Sequence, residues 1–433
     1  MNQPLAAALF GIAALASLHA GAVLGARQHV VHAGHLLDVD SGRMLANQAV
    51  TIADGRVLSV HAWTPADAGA RVLDWSAYTV VPGLMDMHTH LIGDIESSDP
   101  AAPLKMTAQQ DVLIGAMHAR KTLQAGFTTV RDVGTYRAFG DVALRDAIAK
   151  GWVPGPRMFV AGAYVTIPQG GGEVTGLPPG TVVPPEFRRG VANSPAEVRQ
   201  RVDDILAGSA DFIKVIATGA VLTPGTEPGK SELSEAEIRA AVKEAAKHGS
   251  FVAAHAHGAQ GIKDAVRAGV RSIEHGSLID DEGIALMKQH GTWLVADIYD
   301  GDHIEAVGRK EGWPAETLRK NEETTEAQRE GFRKAVKAGV RMAFGTDAGV
   351  YPHGDNARQF AYMVRYGMTP LQAIRSATIN AAQLLGRQNE LGSIAPGKSA
   401  DLLAVACDPL HDIECLRQVR GVIKTGQLVA LEP

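Results

Sequence analysis

The chain has 433 residues, of which 45% are hydrophobic and 21% are charged, and its formal net charge is −5. This length exceeds one small domain and is enough to bury a large core, and the composition is that of a soluble globular protein. Because acidic and basic residues are interspersed, the sequence offers no basic stripe for nucleic acid, and it favours a small-molecule or peptide partner.

The first 26 residues differ in composition from the rest of the chain. They contain no Lys, Arg, Asp or Glu, and an apolar stretch from about Leu5 to Leu18 is followed by small residues. This pattern is typical of a secretory signal peptide cut near Ala22 or Ala26, and it is too short for a comfortable membrane span. It predicts a periplasmic or secreted protein with no membrane attachment after cleavage. The lack of a basic residue leaves one alternative, an apolar helix retained by a cytoplasmic protein.

The two ends of the remaining chain, residues 27–80 and 390–433, consist of short apolar runs separated by turns. Asp-Ser-Gly at 40–42 and Asp-Gly at 54–55 are hairpin signals. We therefore predict one small β-rich domain built from both ends. Cys407 and Cys415 lie in it and are either a disulfide, in an oxidising compartment, or two ordinary thiols.

Residues 81–389 alternate between strand-like and helix-like segments. Helix candidates at 194–208 and 234–249 open on Ser with Glu three residues later, as a capping box does. Three helix candidates end in Ala-Gly directly before a strand, at 125–126, 268–269 and 338–339, where Gly suits a left-handed cap. Eight strand candidates follow one another: TVVPGLMDMHTH, GFTTVRDVG, RMFVAGAYV, DFIKVIATG, FVAAHAHG, RSIEHGS, TWLVADI and RMAFGTDAG. This pattern predicts an α/β fold, a (β/α)8 TIM barrel over 81–389.

Two connections are too long for simple joints between these units. Residues 166–193 follow the third strand and are rich in Pro and Gly, and residues 299–330 follow the seventh strand and are highly charged. Loops after strands lie at the C-terminal face of such a barrel, where substrates bind. We predict that both connections border the substrate site; the alternative is a pair of disordered surface insertions.

Potential metal ligands occur at the ends of four predicted strands. His88 and His90 are two residues apart, so both side chains point to one face of their strand. His255 and His257 end the fifth strand, His275 ends the sixth, and Asp347 ends the eighth. Each alone is more simply a buried structural residue, but together at one barrel mouth they predict a site for Zn²⁺ or a similar ion. Lys214, in an apolar strand, is a buried cation without an evident partner.

Taken in order, the segments PGLMDMHTHL, DFIKVIATG, AAHAHG, IEHGS, GTDAG and LGSIAPGKSADLLAV resemble the amidohydrolase superfamily. The resemblance implies that Lys214 is carboxylated and that its carbamate bridges two divalent metal ions, with zinc the expected metal. By the same match, His88, His90 and Asp347 would hold the more buried ion. His255 and His275 would hold the other.

The resemblance also implies metal-assisted hydrolysis of an amide by a hydroxide that bridges the two ions. Asp347 would take the proton of the attacking water and pass it to the leaving amine, as general base and then acid. His257 occupies the position from which a Tyr or His in similar enzymes contacts the tetrahedral oxyanion. A packing role for His257 is the alternative.

Within the superfamily, the chain looks most like the binuclear branch of Xaa-Pro dipeptidase, imidazolonepropionase-like and ochratoxinase-type enzymes. The implied substrate is an amide that releases an amino acid with a free carboxylate: an N-acyl amino acid, an Xaa-Pro or similar dipeptide, or ochratoxin A. Tyr164, Tyr299, Arg188 and Arg189 are candidates for contacts to that carboxylate, because they lie on or near the long connections. Members of the branch tend to form homo-oligomers, tetramers or octamers.

Four other functions share parts of this pattern. Cyclic-amide hydrolysis and phosphotriesterase-like activity use the same metal chemistry. A mononuclear deaminase would need an acid soon after the fifth strand, where the next acidic residue is Asp264, and would leave Lys214 without a role. A metal-free scaffold relative should lack some ligands, and none is missing. Amide hydrolysis with release of a carboxy-terminal amino acid is therefore the favoured prediction.

Overall fold

The structure is a computed structural model that describes residues 28–93 and 99–431. The predicted signal peptide, residues 1–26, lies outside the described residues. The strands of the described part are β1 (His29–Asp38), β2 (Arg43–Ala53), β3 (Arg56–Ala62), β4 (Val72–Pro82), β5 (Leu84–Thr89), β6 (Phe127–Asp132), β7 (Arg157–Val160), β8 (Tyr164–Val165), β9 (Ile213–Ile216), β10 (Val252–Ala256), β11 (Ser272–His275), β12 (Trp293–Val295), β13 (Leu402–Val405), β14 (Val419–Lys424) and β15 (Gln427–Leu428).

The helices occupy the outside of the central part of the fold. They are α1 (Ala102–Lys105), α2 (Ala108–Gln124), α3 (Gly140–Ala149), α4 (Pro195–Ala207), α5 (Glu235–Lys247), α6 (Ala259–Ala268), α7 (Asp281–His290), α8 (Asp300–Glu311), α9 (Ala315–Ala338), α10 (Arg358–Arg365), α11 (Pro370–Ser376) and α12 (Ile379–Leu385). None of the described helices is both long and apolar enough to cross a membrane.

Both chain ends meet in one seven-stranded sheet, with strand order β15-β14-β13-β4-β1-β2-β3. β4 pairs in parallel with β1 and antiparallel with β13, so it joins the two ends. One set of side chains, including Val31, Trp75 and Ile423, forms a small core of its own. Others, including Leu37 and Leu403, join the main core of the chain. The division into 27–80 with 390–433 and 81–389 stays a prediction.

The central part is the predicted barrel, with two irregular strands. The third strand is split into β7 and β8 around Gly162, which has a φ of 72°. The eighth is an extended segment, 341–344, that closes the barrel: Leu294 N donates to Arg341 O at 2.8 Å, and Met87 N donates to Phe344 O at 2.8 Å. At Gly345 a Cβ would lie only 2.2 Å from Val295 Cγ1, so only glycine fits there. This topology confirms the predicted fold class.

The structure has the predicted helix caps and turns at the predicted positions. Ser194 and Ser234 accept hydrogen bonds from the backbone of Glu197 and Glu237 and begin α4 and α5. All three Ala-Gly joints have left-handed glycines, with φ of 93° at Gly126, 98° at Gly269 and 74° at Gly339. Each glycine therefore lets a helix end and the chain turn directly into the next strand.

The two long connections differ from each other. Residues 166–193 contain only a short 3-10 turn at Pro185–Phe187, and residues 170–175 are buried. The expectation that residues 299–330 form a long loop is wrong, because they form α8 and most of α9. Acidic residues in the first turn of α8, basic residues in its last turn and a left-handed cap at Gly312, with a φ of 71°, explain the helix.

Cys407 and Cys415 form a disulfide, with Cα atoms 5.6 Å apart. The bond closes a short loop between β13 and the 3-10 turn Ile413–Arg417. Of the two alternatives that the sequence left open, the structure has the bridged one.

Candidate metal centre

The C-terminal ends of the barrel strands surround one cavity with about 850 Å³ of non-atom space, which includes its open mouth. The walls come from strand ends and from the long connections, including Gly171 and Gly172 of the first and Asp300 and Ile304 of α8. This is where parallel barrels place their substrate sites. All six predicted metal ligands line this cavity: His88, His90, Lys214, His255, His275 and Asp347.

The first group of ligand atoms belongs to His88, His90 and Asp347. Nε2 of His88 lies 3.2 Å from Asp347 Oδ1, and Nε2 of His90 lies 3.1 Å from the same oxygen. Asp347 Oδ1 is buried and has no hydrogen-bond partner among the described residues. Burial raises the pKa of Asp347, but the two histidines outweigh it and hold that pKa well below its usual range. Two imidazoles and a carboxylate therefore face one another at a shared point.

A buried ion pair orients His88 from behind. Glu274 Oε2 lies 3.1 Å from His88 Nδ1, and both Glu274 oxygens accept hydrogen bonds from Arg131 Nη2 at 2.7 Å. Both side chains of this pair are 0% exposed. A carboxylate behind a histidine fixes its tautomer and leaves Nε2 free to bind a metal. Burial opposes ionisation of Glu274, but Arg131 and His88 hold the pKa of that carboxyl below its usual range.

The second group consists of His255, His257 and His275, whose ligand atoms lie within 4.8 Å of one another. His275 Nδ1 is 2.8 Å from Asp297 Oδ2, an arrangement like that behind His88. His255 Nε2 is 3.1 Å from the carbonyl oxygen of Gly219, which leaves Nδ1 toward the cavity. His257, predicted to contact an oxyanion, is thus placed close enough to serve as a ligand as well.

Lys214 lies between these groups in β9 and is 2% exposed. Burial lowers the pKa of its amine to about 8, against the opposing effect of Glu274 and Asp347. An amine with a lowered pKa is more often neutral, and a neutral amine is the form that reacts with carbon dioxide. Among the described residues, none is a hydrogen-bonded counter-ion that would explain a buried ammonium here.

The residues present fit a metal centre by three observations. Nitrogen ligands and a carboxylate are the donor set that Zn²⁺ prefers, and metal bonds of about 2.0–2.2 Å place two ligand atoms roughly 3.3 Å apart, close to the separations in the first group. Asp347 Oδ1 is otherwise an orphaned buried oxygen. Asp347 and His275 also have left-handed backbones, with φ of 55° and 67°, a strain that non-glycine residues hold mainly at functional sites.

The predicted substrate contacts divide into two sets. Tyr164 lines the cavity, where its hydroxyl donates to Gly134 O at 3.0 Å and lies 3.2 Å from His90 Nδ1. Tyr299 does not line the cavity among the described residues; it precedes α8 and packs edge-on against Tyr351 at 4.9 Å.

The arginines point elsewhere. Arg188 and Arg189 are exposed outside the cavity, and Arg188 pairs with Glu173 at 2.6 Å. Their positions do not support the predicted contact with a substrate carboxylate. The connection 166–193 folds back over the barrel and keeps these side chains on its outer side.

Several residues of the site escaped the sequence reasoning. Glu274 and Arg131 lie in β11 and β6, in which every residue is buried, and a charged residue inside a predicted barrel strand could have indicated them. Asp297, Asp300 and Tyr136 also line or support the cavity. Burial and the nearby carboxylates of Asp297 and Asp347 raise the pKa of Asp300 well above its usual range. Nothing in the local sequence distinguishes these three residues from ordinary surface or core residues.

Comparisons with known proteins agree with this geometry. The model of the amidohydrolase family matches residues 79–429. The chain is 34% identical to the ochratoxinase of Aspergillus niger over 361 residues, which cover 79% of this chain and 73% of the relative.

Two solved structures are similar over nearly their whole length. A Xaa-Pro dipeptidase with methionine bound in its active site has a TM-score of 0.86 and 37% identity, covering 93% of this chain and 99% of that one. A prolidase in complex with N-methylphosphonate-L-proline has a TM-score of 0.85 and 31% identity, covering 94% of this chain and 100% of that one.

Proposed function

The chain belongs to the amidohydrolase family, and from that premise we propose that it hydrolyses an amide bond to release a carboxy-terminal amino acid. The observation that carries the proposal is the meeting of two ligand groups and Lys214 in one cavity. The substrate class comprises N-acyl amino acids, Xaa-Pro and similar dipeptides, and amides of the ochratoxin A type. The similarity of the chain to an ochratoxinase and to a Xaa-Pro dipeptidase supports this substrate class.

We further propose two divalent metal ions, with zinc the expected metal, held by His88, His90 and Asp347 on one side and by His255 and His275 on the other. Carboxylated Lys214 would bridge them. In that modification the neutral amine of Lys214 would bond through Nζ to the carbon of carbon dioxide and lose one proton, which gives an anionic oxygen ligand; starting from the ammonium form, two protons leave. When bound, the metals would acidify a water molecule and polarise the scissile carbonyl.

The proton steps fall to side chains of this chain. Asp347 is held ionised by His88 and His90, so its carboxylate can accept the proton of the attacking water and return it to the nitrogen of the leaving amino acid. His257 has Ser277 Oγ 2.7 Å from its Nδ1. When Ser277 Oγ donates to Nδ1, the ring proton lies on Nε2, which would then donate to the carbonyl oxygen as negative charge develops there.

The first experiment counts bound metal by elemental analysis in the wild type and in Lys214→Ala, and assays both proteins against N-acyl amino acids and dipeptides. We expect about two ions per chain in the wild type and a sharp fall of metal content and activity in the variant. Lys320→Met is the control for removal of a buried lysine: Lys320 is also fully buried, but it pairs with Glu316 at 2.8 Å and donates to the carbonyl of Thr223 at 2.8 Å, outside the ligand groups.

Reconstitution gives an independent test of the carbamate. Metal-free protein loaded with zinc should regain activity faster with added bicarbonate than in carbon-dioxide-free buffer. One ion per chain, unchanged in Lys214→Ala, would contradict the bridged centre and favour a mononuclear hydrolase.

Two further parts of the proposal concern the export of the protein and its oligomeric state. We propose that residues 1–26 direct export and are removed, and the Cys407–Cys415 disulfide supports this because such bonds persist mainly outside the cytoplasm. Fractionation of cells that express the full chain, with amino-terminal sequencing of the product, tests it; a cytoplasmic protein with an intact amino terminus would contradict it. We also propose a homo-oligomer, tetramer or octamer, which sedimentation measures directly.

A further inference from the structure

Asp300 is a buried carboxyl group of the cavity that the proposed mechanism does not use. It is the first residue of α8, it lines the cavity and it is 5% exposed. Its Oδ1 is buried and has no hydrogen-bond partner among the described residues. Because buried polar atoms are almost always paired, an orphaned carboxyl oxygen in a substrate cavity indicates a partner that the described residues do not supply.

The other carboxyl groups of the cavity are already occupied. Asp297 accepts a hydrogen bond from Gln328 Nε2 at 2.8 Å and lies 2.8 Å from His275 Nδ1. Asp347 faces the two histidines of the first ligand group. Asp300 shares a side-chain hydrogen bond with Asp297, but its Oδ1 has no partner among the described residues.

The charges beside Asp300 favour a cationic partner. Its neighbour is the carboxyl group of Asp297, and apart from Lys214, a proposed metal ligand, the described residues that line the cavity include no lysine or arginine to balance the two. The backbone N–H of Asp300 donates to the carbonyl of Asp297 at 3.2 Å, so Asp300 is one turn away from the carboxylate that orients His275. A positive group beside Asp300 would offset both its burial and the repulsion from the neighbouring carboxylates.

We infer that Asp300 binds the α-ammonium group of the substrate, so the enzyme prefers dipeptides with a free amino terminus to N-acyl amino acids. The inference rests on the proposed function and narrows its substrate class. In a dipeptide one carbon separates the α-nitrogen from the scissile carbonyl carbon. An ammonium bound by Asp300 therefore belongs to the residue whose carbonyl lies at the ligand groups.

The test compares alanyl-phenylalanine with propanoyl-phenylalanine, which differ only by replacement of the ammonium group by hydrogen. We expect the metal-loaded wild type to favour the alanyl substrate in kcat/KM by roughly 10- to 100-fold, the usual effect of one hydrogen bond to a charged group. Asp300→Asn should lose about that factor on the alanyl substrate and change less than about threefold on the propanoyl substrate.

Two further variants separate recognition from structure. Asp302→Asn changes a carboxylate in the same helical turn that pairs with Arg329 outside the cavity, and it should keep the wild-type preference. Asp300→Glu keeps the charge and should retain part of the preference.

Each outcome has a distinct meaning. Equal rates on both substrates in the wild type, or an equal loss on both in Asp300→Asn, would overturn the inference and leave the proposed function standing. Failure of the wild type to cleave any amide of an amino acid would instead overturn the proposed function. Should Asp300→Asn not fold, the wild-type ratio alone still decides.

Discussion

Replacing Arg131 by Met tests the buried ion pair behind His88. Arg131 is fully buried and donates to Glu274 twice at 2.7 Å, to Ser272 Oγ at 2.9 Å and to Met87 O at 2.6 Å. The substitution keeps most of the side-chain volume but leaves the Glu274 carboxylate buried without its cation. Removing one partner of such a pair costs about 3–5 kcal/mol, because the remaining charge stays desolvated.

The expected shift of the melting temperature follows from the size of the fold. An unfolding entropy of about 2.1 cal/mol/K per residue over roughly 400 residues converts this cost into about 4–6 °C. Calorimetry of metal-free wild type and Arg131→Met at pH 7 measures it. Arg271→Met is the control: Arg271 stacks on Phe251 at 3.8 Å and donates to the carbonyl of Leu384 at 3.3 Å. Its removal leaves no carboxylate unpaired among the described residues, so we expect a loss of at most about 1 kcal/mol.

The difference in melting temperature between the wild type and Arg131→Met should depend on pH. The pKa of Glu274 in the folded wild type lies below its ordinary value of 4.5, so its contribution to stability is present above that pH and is lost as the pH falls below it. In Arg131→Met, burial is no longer opposed by the guanidinium, and protonation of Glu274 relieves the penalty. The gap between the two melting temperatures should therefore narrow from pH 7 to pH 4. A gap that is below about 1 °C, or that does not change with pH, would refute the reasoning.

Three further predictions concern single residues. Asp347→Asn should lower kcat by about 10²- to 10⁴-fold, the usual contribution of a general base, in steady-state assays with metal content measured alongside; unchanged kcat would exclude the proton-transfer role. His257→Ala should lower kcat/KM by about 10²- to 10³-fold if it stabilises the oxyanion; full activity would rule that role out, and loss of one metal ion would assign it as a ligand instead. Replacing Cys407 and Cys415 by Ser should lower the free energy of unfolding by about 2–3 kcal/mol, because the disulfide closes a loop with a sequence separation of 8. Denaturant titration of the wild type under reducing and oxidising conditions measures the same loss, and equal free energies of unfolding under the two conditions would contradict the estimate.

The sequence determined the architecture because its signals are local and periodic. Alternating strand and helix patterns, Ser caps and Ala-Gly joints repeat through residues 81–389, and each acts within a few residues of its own position. The place of the candidate ligands followed from the same pattern. Parallel strands of a barrel end at one face, so side chains at four strand ends had to meet.

Only the tertiary structure decided which charges meet inside the fold. Glu274 and Arg131 are 143 positions apart and pair because β6 and β11 face each other across the barrel. The position of Asp300 in the cavity depends on α8, in a segment whose length and charge predict a loop. Arg188 pairs with Glu173 outside the cavity.

These outcomes share one physical reason. A short stretch of sequence sets backbone conformation and the face on which a side chain lies, whereas burial, charge pairing and the wall of a cavity depend on residues that are distant in the chain. Glu274 and Asp300 are both acidic residues in the sequence. Arg131 pairs with Glu274, which is therefore a structural anion. Nothing in the described chain pairs with Oδ1 of Asp300, so that carboxyl group is open to a substrate.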